Sequence, residues 1–241
     1  MPLLEVEQVS KDFGGVRAIH HVSFSLEEGE LLGIMGPNGS GKTTLFNLIA
    51  GFLAPDGGSI RLRGEEIGGL SPHRICGKGV ARTFQLVRPF PALSALDNVR
   101  VGQLYGRAPA RTDARKLLAL VELDARAHAR AADLTLVDRK RLELARALAT
   151  SPYLLLLDEF LAGLNPAETA SAMDLIRSLV AEGMTILMVE HIVWALMALS
   201  RRIIVLSAGE KIAEGSPEAV AANPAVLDAY LGGDPGSWMR A

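Results

Sequence analysis

The chain has 241 residues, 49% of them apolar, with a formal net charge of −2. That is enough apolar material for one large domain or a domain with a subdomain, and the charge balance offers no basic field for nucleic acid, which is not expected as a partner. The lone cysteine, Cys76, excludes an intramolecular disulfide and a cysteine-built metal cluster, in keeping with a reducing compartment.

The first residues, Met1-Pro2-Leu3-Leu4-Glu5, do not read as a secretory signal. Alternating apolar residues predict strands over 3–9, 22–26, 31–35 and 59–62, the last after the turn Pro55-Asp56-Gly57-Gly58. A helix is expected over 44–50, ended by Gly51. The middle differs: 111–121 and 139–149 are rich in Ala, Leu and Arg at helical spacing, which predicts a helical subdomain. From Tyr153 the pattern alternates, with strand 154–157, helix 168–181, strand 185–189, helix 192–199 and strand 203–206. Such alternation argues for an α/β fold with a parallel sheet flanked by helices. A turn at Ser207-Ala208-Gly209-Glu210 leads to a short strand over 211–213, then two short helices in 217–231 and a loose tail over 232–241. The apolar runs fall short of the ~18 residues that span a bilayer, so any membrane association is expected to be peripheral.

Eight residues carry the chemistry: Gly36-Pro37-Asn38-Gly39-Ser40-Gly41-Lys42-Thr43, followed by Thr44, lie between an apolar strand and a helix. Glycines let the backbone curl so that successive N–H groups converge on phosphate oxygens, while the next helix points its positive end at them. In this phosphate-binding loop Lys42 is placed to reach the outer phosphates of ATP and Thr43 to offer its hydroxyl to Mg²⁺. Downstream, Leu154-Leu155-Leu156-Leu157-Asp158-Glu159 reads as a buried strand that delivers two carboxylates at its carboxyl end, where open α/β sheets bind ligands. Asp158 is expected to hold Mg²⁺ and Glu159 to polarise the attacking water.

With both motifs in place the chain resembles the ATP-binding subunits of ABC transporters along nearly its whole length. The resemblance implies a P-loop NTPase core with an N-terminal antiparallel β subdomain and an inserted helical subdomain. The core would occupy 1–86 and 151–231, the helical part 87–150 and the tail 232–241. Phe13, in Lys11-Asp12-Phe13-Gly14-Gly15, resembles the aromatic that stacks on adenine, although a core phenylalanine would look the same. Gln85, after Ala81-Arg82-Thr83-Phe84, resembles the glutamine that touches Mg²⁺ and water, and His191 the switch histidine that contacts the terminal phosphate. Gly163-Leu164-Asn165-Pro166 is similar to the loop that faces the second ATPase across a dimer. Within the family the likeness is to ATPases of branched-chain amino acid uptake, carried by 80–98, 141–150 and 213–218.

One segment departs from the pattern. Where the family has Leu-Ser-Gly-Gly-Gln, this chain has Leu134-Thr135-Leu136-Val137-Asp138. Two glycines are replaced by bulky residues, and Asp138 sets an acid toward the partner's phosphate, a like-charge contact that costs about 1 kcal/mol at ~4 Å even in water. The expectation is a heterodimer with a related ATPase whose signature is intact, or a homodimer if backbone donors suffice. The resemblance further implies integral membrane permease subunits, indirectly a solute-binding protein, and a location at the cytoplasmic face of the inner membrane. Docking of the permease is expected around 85–91, with Phe84, Leu86, Val87 and Phe90 as apolar contacts. Two alternatives stay open: an ATP-gated dimerisation module with little hydrolysis, and the ATPase of a lipid or polysaccharide exporter.

Overall fold

The computed structural model describes residues 2–84, 88–107 and 113–231. The chain opens with a hairpin of β1 (Leu4–Phe13) and β2 (Val16–Leu26), turned by Gly14 and Gly15, both at positive φ. β1 pairs on its other side with β4 (Gly57–Leu62), and β5 (Glu65–Glu66) completes an antiparallel sheet of order β2-β1-β4-β5.

The second sheet contains β3 (Leu31–Met35), β6 (Val80–Arg82), β7 (Leu154–Asp158), β8 (Thr185–Val189), β9 (Arg202–Ser207) and β10 (Glu210–Gly215), in the order β10-β9-β3-β8-β7-β6. Its pairings are parallel except that of β10 with β9. β3, β7 and β8 are buried on both faces, which is why they read as continuous apolar runs.

Side chains alternate across a strand, so each central strand divides its residues between two cores. Leu155, Leu157, Ile186 and Met188 face one core; Leu154, Leu156, Leu187 and Val189 face the other. The first core is closed by α3 (Ala95–Leu104), α4 (Ala114–Leu120), α5 (Leu136–Ala149), α6 (Pro166–Ala181) and α7 (Val193–Leu199), through residues such as Val99, Leu118, Leu142, Ile176 and Leu196. The second is closed by α1 (Lys42–Ile49), through Leu45 and Phe46, and by Val6, Leu26 and Ile60 of the antiparallel sheet. α2 (Pro72–Lys78) adds Ile75 to that core, while α8 (Pro217–Ala221) and α9 (Pro224–Leu231) end the described chain.

The α/β architecture with its N-terminal antiparallel sheet agrees with the sequence reading; several boundaries differ. β1 runs on to Phe13 and β2 starts at Val16, because bulges let the polar halves of both strands stay paired. α2, β6 and α3 were not expected: α2 and β6 are too short to show a period, and α3 is amphipathic only weakly. α5 starts at Leu136 rather than 139, since Thr135 caps it by accepting the Asp138 N–H at 3.2 Å. Among the described residues no helix is long and apolar enough to cross a membrane.

Candidate functional site

The loop from Gly36 to Thr43 joins β3 to α1 and is wedged between two backbones. A Cβ on Gly36 would lie 2.1 Å from the Leu206 carbonyl oxygen, and one on Gly41, at φ +103°, would lie 2.5 Å from that of Ala18. Only glycine fits either position. Gly41 is the N-cap of α1 and supplies no side-chain cap, and the first turn holds no acid, so the helix amides remain directed at an incoming anion. Ser40 is buried, with its carbonyl accepting the Gly209 N–H at 3.1 Å, while Asn38, Gly39 and Thr43 are exposed and Pro37 and Thr44 half-buried.

Lys42 is buried inside this curl. Its ammonium donates to the carbonyls of Gly36 at 2.6 Å and Pro37 at 2.9 Å. Desolvation lowers its pKa, against the opposing field of Glu159. The lysine is therefore a charge held at the throat of the loop, close to Glu159.

Asp158 ends β7 and is buried. Its Oδ2 accepts from Arg82 Nη2 at 2.6 Å with both side chains 8% exposed, and Arg82 Nη1 donates to Asn47 Oδ1 at 2.7 Å. The guanidinium is walled by the rings of Phe46, Phe52 and Phe84, at 5.7, 5.6 and 5.4 Å from their centroids. Thr43 and Asp158 line one cavity of about 600 Å³. A hydroxyl and one carboxylate are hard oxygen donors suited to Mg²⁺, which takes few protein ligands and fills the rest from water and phosphate. No cluster of three or more His, Cys, Asp or Glu that could hold a metal occurs among the described residues.

Glu159 adopts φ +50°, a left-handed backbone that a non-glycine residue takes only under constraint. Its N–H donates to the Val189 carbonyl at 2.9 Å, which fixes the turn against the neighbouring strand β8. The turn aims the carboxylate at His191, Oε1 to Nε2 being 2.6 Å, with His191 half-exposed and Glu159 largely covered. Beside them Glu190 is buried; its Oε1 accepts the Leu161 N–H at 2.7 Å, and burial pushes its carboxyl up to about 7.

The carboxyl ends of β3, β7 and β8 thus bring together Lys42, Asp158, Glu159 and His191. Phe13 is 46% exposed, so it is not a core phenylalanine. It pairs with Val16 in the hairpin whose Ala18 packs on Gly41, at the same end of the molecule as the loop. Gln85, with Leu86 and Val87, lies outside the described residues.

The departing segment is electrostatically quieter than its sequence implies. Asp138 accepts from the Thr135 hydroxyl at 2.8 Å and pairs with Arg126 at 2.7 Å, so the like-charge penalty expected of it is offset by a neighbouring cation. Leu136 is 49% exposed, and it lines, with Thr135, Val137 and Gly163, a depression of about 490 Å³. Asn165 caps α6 in a reciprocal capping box with Glu168. Sequence reasoning missed Arg82, Arg126 and Glu190; for Arg82 and Glu190 the signal available was a charge embedded in or beside an apolar strand, as in Val80-Ala81-Arg82 and Met188-Val189-Glu190.

A glycine loop between β3 and α1, with an acidic pair at the carboxyl end of β7 in an open α/β sheet, defines a P-loop NTPase. Comparison with known proteins narrows the class: residues 19–162 match the ABC transporter family, and 210–235 match the branched-chain amino acid ATP-binding cassette transporter family. The chain belongs to the ABC transporter ATP-binding family and is an ATPase of it. It is 40% identical to the high-affinity branched-chain amino acid transport ATP-binding protein BraF of Pseudomonas aeruginosa, over 96% of this chain and 98% of that one. It is 38% identical to LivG of Escherichia coli K12, of like description, with the same coverage. Among solved structures it is similar to the ADP conformation of the ATP-binding cassette MJ1267, with TM-score 0.86 and 30% identity over 97% of this chain and all of that one. It is also similar to the dimeric post-hydrolysis state of the cassette MJ0796 bound to ADP and Pi, with TM-score 0.79 and 26% identity over 89% and 98%.

Proposed function

We propose that this chain powers an ABC importer of branched-chain or related amino acids, working as a peripheral subunit at the cytoplasmic face of the inner membrane. The observation that carries the reading is the full-length similarity to BraF and LivG together with the separate match of 210–235. In this reading the partners are a second ATPase subunit, integral membrane permease subunits and, indirectly, a solute-binding protein. The ATPase core comprises 1–86 and 151–231, with a helical subdomain over 87–150.

ATP enters at the loop: the amides of Gly39, Gly41 and the first turn of α1 receive the phosphates, and Lys42 exchanges the Gly36 and Pro37 carbonyls for phosphate oxygen. Phe13 stacks on the base. Thr43, Asp158 and Gln85 would hold Mg²⁺, which would supply positive charge against the phosphates. Asp158 would have to exchange Arg82, its present partner, for that role. Glu159 polarises the attacking water, and His191, already within hydrogen-bond distance of it, holds the carboxylate in line and meets the terminal phosphate. Catalysis is positioning and charge neutralisation. The exposed rings of Phe52, Phe84 and Phe90 offer the permease an apolar seat.

A second reading is favoured by Leu136 and Val137 on the surface of the 134–138 segment: the site they complete in a dimer holds nucleotide without rapid turnover, so the productive partner is a related ATPase with an intact signature. The test of the main reading is uptake of labelled leucine by cells producing the chain with its transporter subunits. Lys42→Ala should abolish both uptake and Mg-ATP binding in calorimetry. Undiminished leucine uptake with a chain that no longer binds ATP would overturn it.

A further inference from the structure

Three consecutive residues at the end of β8 hold the turn that carries Glu159, each by a different group. The Val189 carbonyl accepts the Glu159 N–H at 2.9 Å, Glu190 Oε1 accepts the Leu161 N–H at 2.7 Å, and His191 Nε2 lies 2.6 Å from Glu159 Oε1. A fourth anchor comes from α5, where Lys140 Nζ donates to the carbonyls of Phe160 at 2.8 Å and Glu159 at 3.2 Å. The turn from Glu159 to Leu161 is thus hung between β8 and α5. It needs holding, because Glu159 sits at φ +50°.

Glu190 is the member of this set that stability does not explain. It is 2% exposed, whereas His191 beside it is half-exposed, and its Oε2 has no hydrogen-bond partner among the described residues. Burial pushes its carboxyl up to about 7, while the Leu161 N–H and the charge of Lys140 draw it back. A buried carboxyl with one oxygen unpaired destabilises a fold relative to an apolar side chain of equal size, so packing alone does not account for it. What the side chain achieves is local: it ties the backbone two residues after Glu159 to the residue immediately before His191.

We propose that Glu190 is a positioning residue for the Glu159–His191 pair: by clamping the Leu161 N–H to the end of β8 it fixes the turn on which Glu159 stands, and so the approach of the Glu159 carboxylate to the His191 ring. Without the clamp the left-handed Glu159 backbone relaxes and its carboxylate leaves the line of His191. This rests on the ATPase assignment and on the roles read for Glu159 and His191.

Nitrogen NMR of the histidine rings in the full chain tests it, with the His191 signals identified by their loss in His191→Gln and the unpaired state given by Glu159→Ala. Glu190→Met fills the space without an acceptor; Glu190→Gln keeps a carbonyl oxygen for the Leu161 N–H. In the Met variant the His191 ring resonances should move most of the way to those of Glu159→Ala, and the Leu161 amide should exchange hydrogen roughly tenfold faster. In the Gln variant the resonances should stay with wild type and the exchange within about twofold of it. Mg-ATP affinity by calorimetry should stay within about twofold of wild type in both, while kcat falls roughly tenfold in the Met variant at unchanged KM and returns in the Gln variant. His191 resonances of Glu190→Met that coincide with wild type would overturn the proposal, as would faster exchange spread evenly through β7 and β8. Should the Met variant not fold, Glu190→Asp, which draws the acceptor back by one methylene, gives the same comparison. Equal turnover of Glu159→Gln and wild type would instead count against the role read for Glu159 and leave the resonance result standing.

Discussion

Glu159 spends backbone strain on aim: its left-handed φ of +50° costs a non-glycine residue about 1–3 kcal/mol and sets the carboxylate 2.6 Å from His191. Glu159→Gln keeps the shape and removes the proposed base. It should bind Mg-ATP as wild type does in calorimetry yet lose ~10²–10⁴-fold in phosphate release; equal rates would remove Glu159 from the mechanism. Glu190, one residue before His191, contributes in a different way. Burial raises its carboxyl from 4.5 to about 7, so between those values the unfolded chain has released a proton that the folded chain still holds. Stability from this group is complete below about pH 4.5 and is lost as pH rises through about 7, falling by about 1.4 kcal/mol for each tenfold drop in proton concentration across that interval. Urea melts near pH 5 and pH 8 should therefore show a smaller loss for Glu190→Gln than for wild type.

Residue identities and spacing pointed to Lys42, Thr43, Asp158 and Glu159, each at a fixed offset from a glycine loop or strand end, and the family resemblance pointed to His191. They did not reveal that Asp158 is paired with Arg82, or that Asp138 is paired with Arg126, since each pair joins residues from separate elements: β6 with β7, and the short 3₁₀ helix Asp124–Arg126 with α5.

At the scale of elements, α6 begins at Pro166, two residues before the helix expected over 168–181, because a cap fixes its first turn. Asn165-Pro166 followed by Glu168 forms a reciprocal cap on α6, with Asn165 Oδ1 accepting the Glu168 N–H at 3.0 Å and Glu168 Oε2 accepting the Asn165 N–H at 2.8 Å. Asn165→Ala should cost about 1 kcal/mol and lower Tm by a few degrees, and scanning calorimetry checks this. An unchanged Tm would mean that packing of Ile176 and Leu179, not the cap, holds the helix. Short elements escaped sequence reading for a plain reason. β6 has three residues and α2 seven, too few for a period to emerge, and both exist because β7 and the second core give them something to pair with and pack on.

Across the whole molecule, the sheet is a partition between two cores, and the carboxyl ends of β3, β7 and β8 are held from both sides. Leu156 faces the core shared with α1 and the antiparallel sheet, and Leu155 the core shared with the helices. Both are fully buried. Leu156→Ala and Leu155→Ala should each lower unfolding free energy by about 2–5 kcal/mol in urea denaturation, because neither side can collapse onto the gap without moving the strand. A loss for one but not the other would show that the two cores do not share the strand equally.

The sequence by itself determined the nucleotide loop, the acidic pair, the order of strands and helices from Tyr153 onward, and the α/β class. These depend on short-range offsets and on apolar periodicity, which a linear string records. Only the tertiary structure decided that Lys42 curls back on the Gly36 and Pro37 carbonyls, that Arg82 occupies Asp158, and that Lys140, Glu143 and Arg146 reach from one helix to backbone groups of Glu159 and Phe160, of Phe84 and of Arg88. A buried charge must find its partner wherever the fold brings one within about 3 Å, and that distance is set by how the sheet and helices pack, not by spacing along the chain.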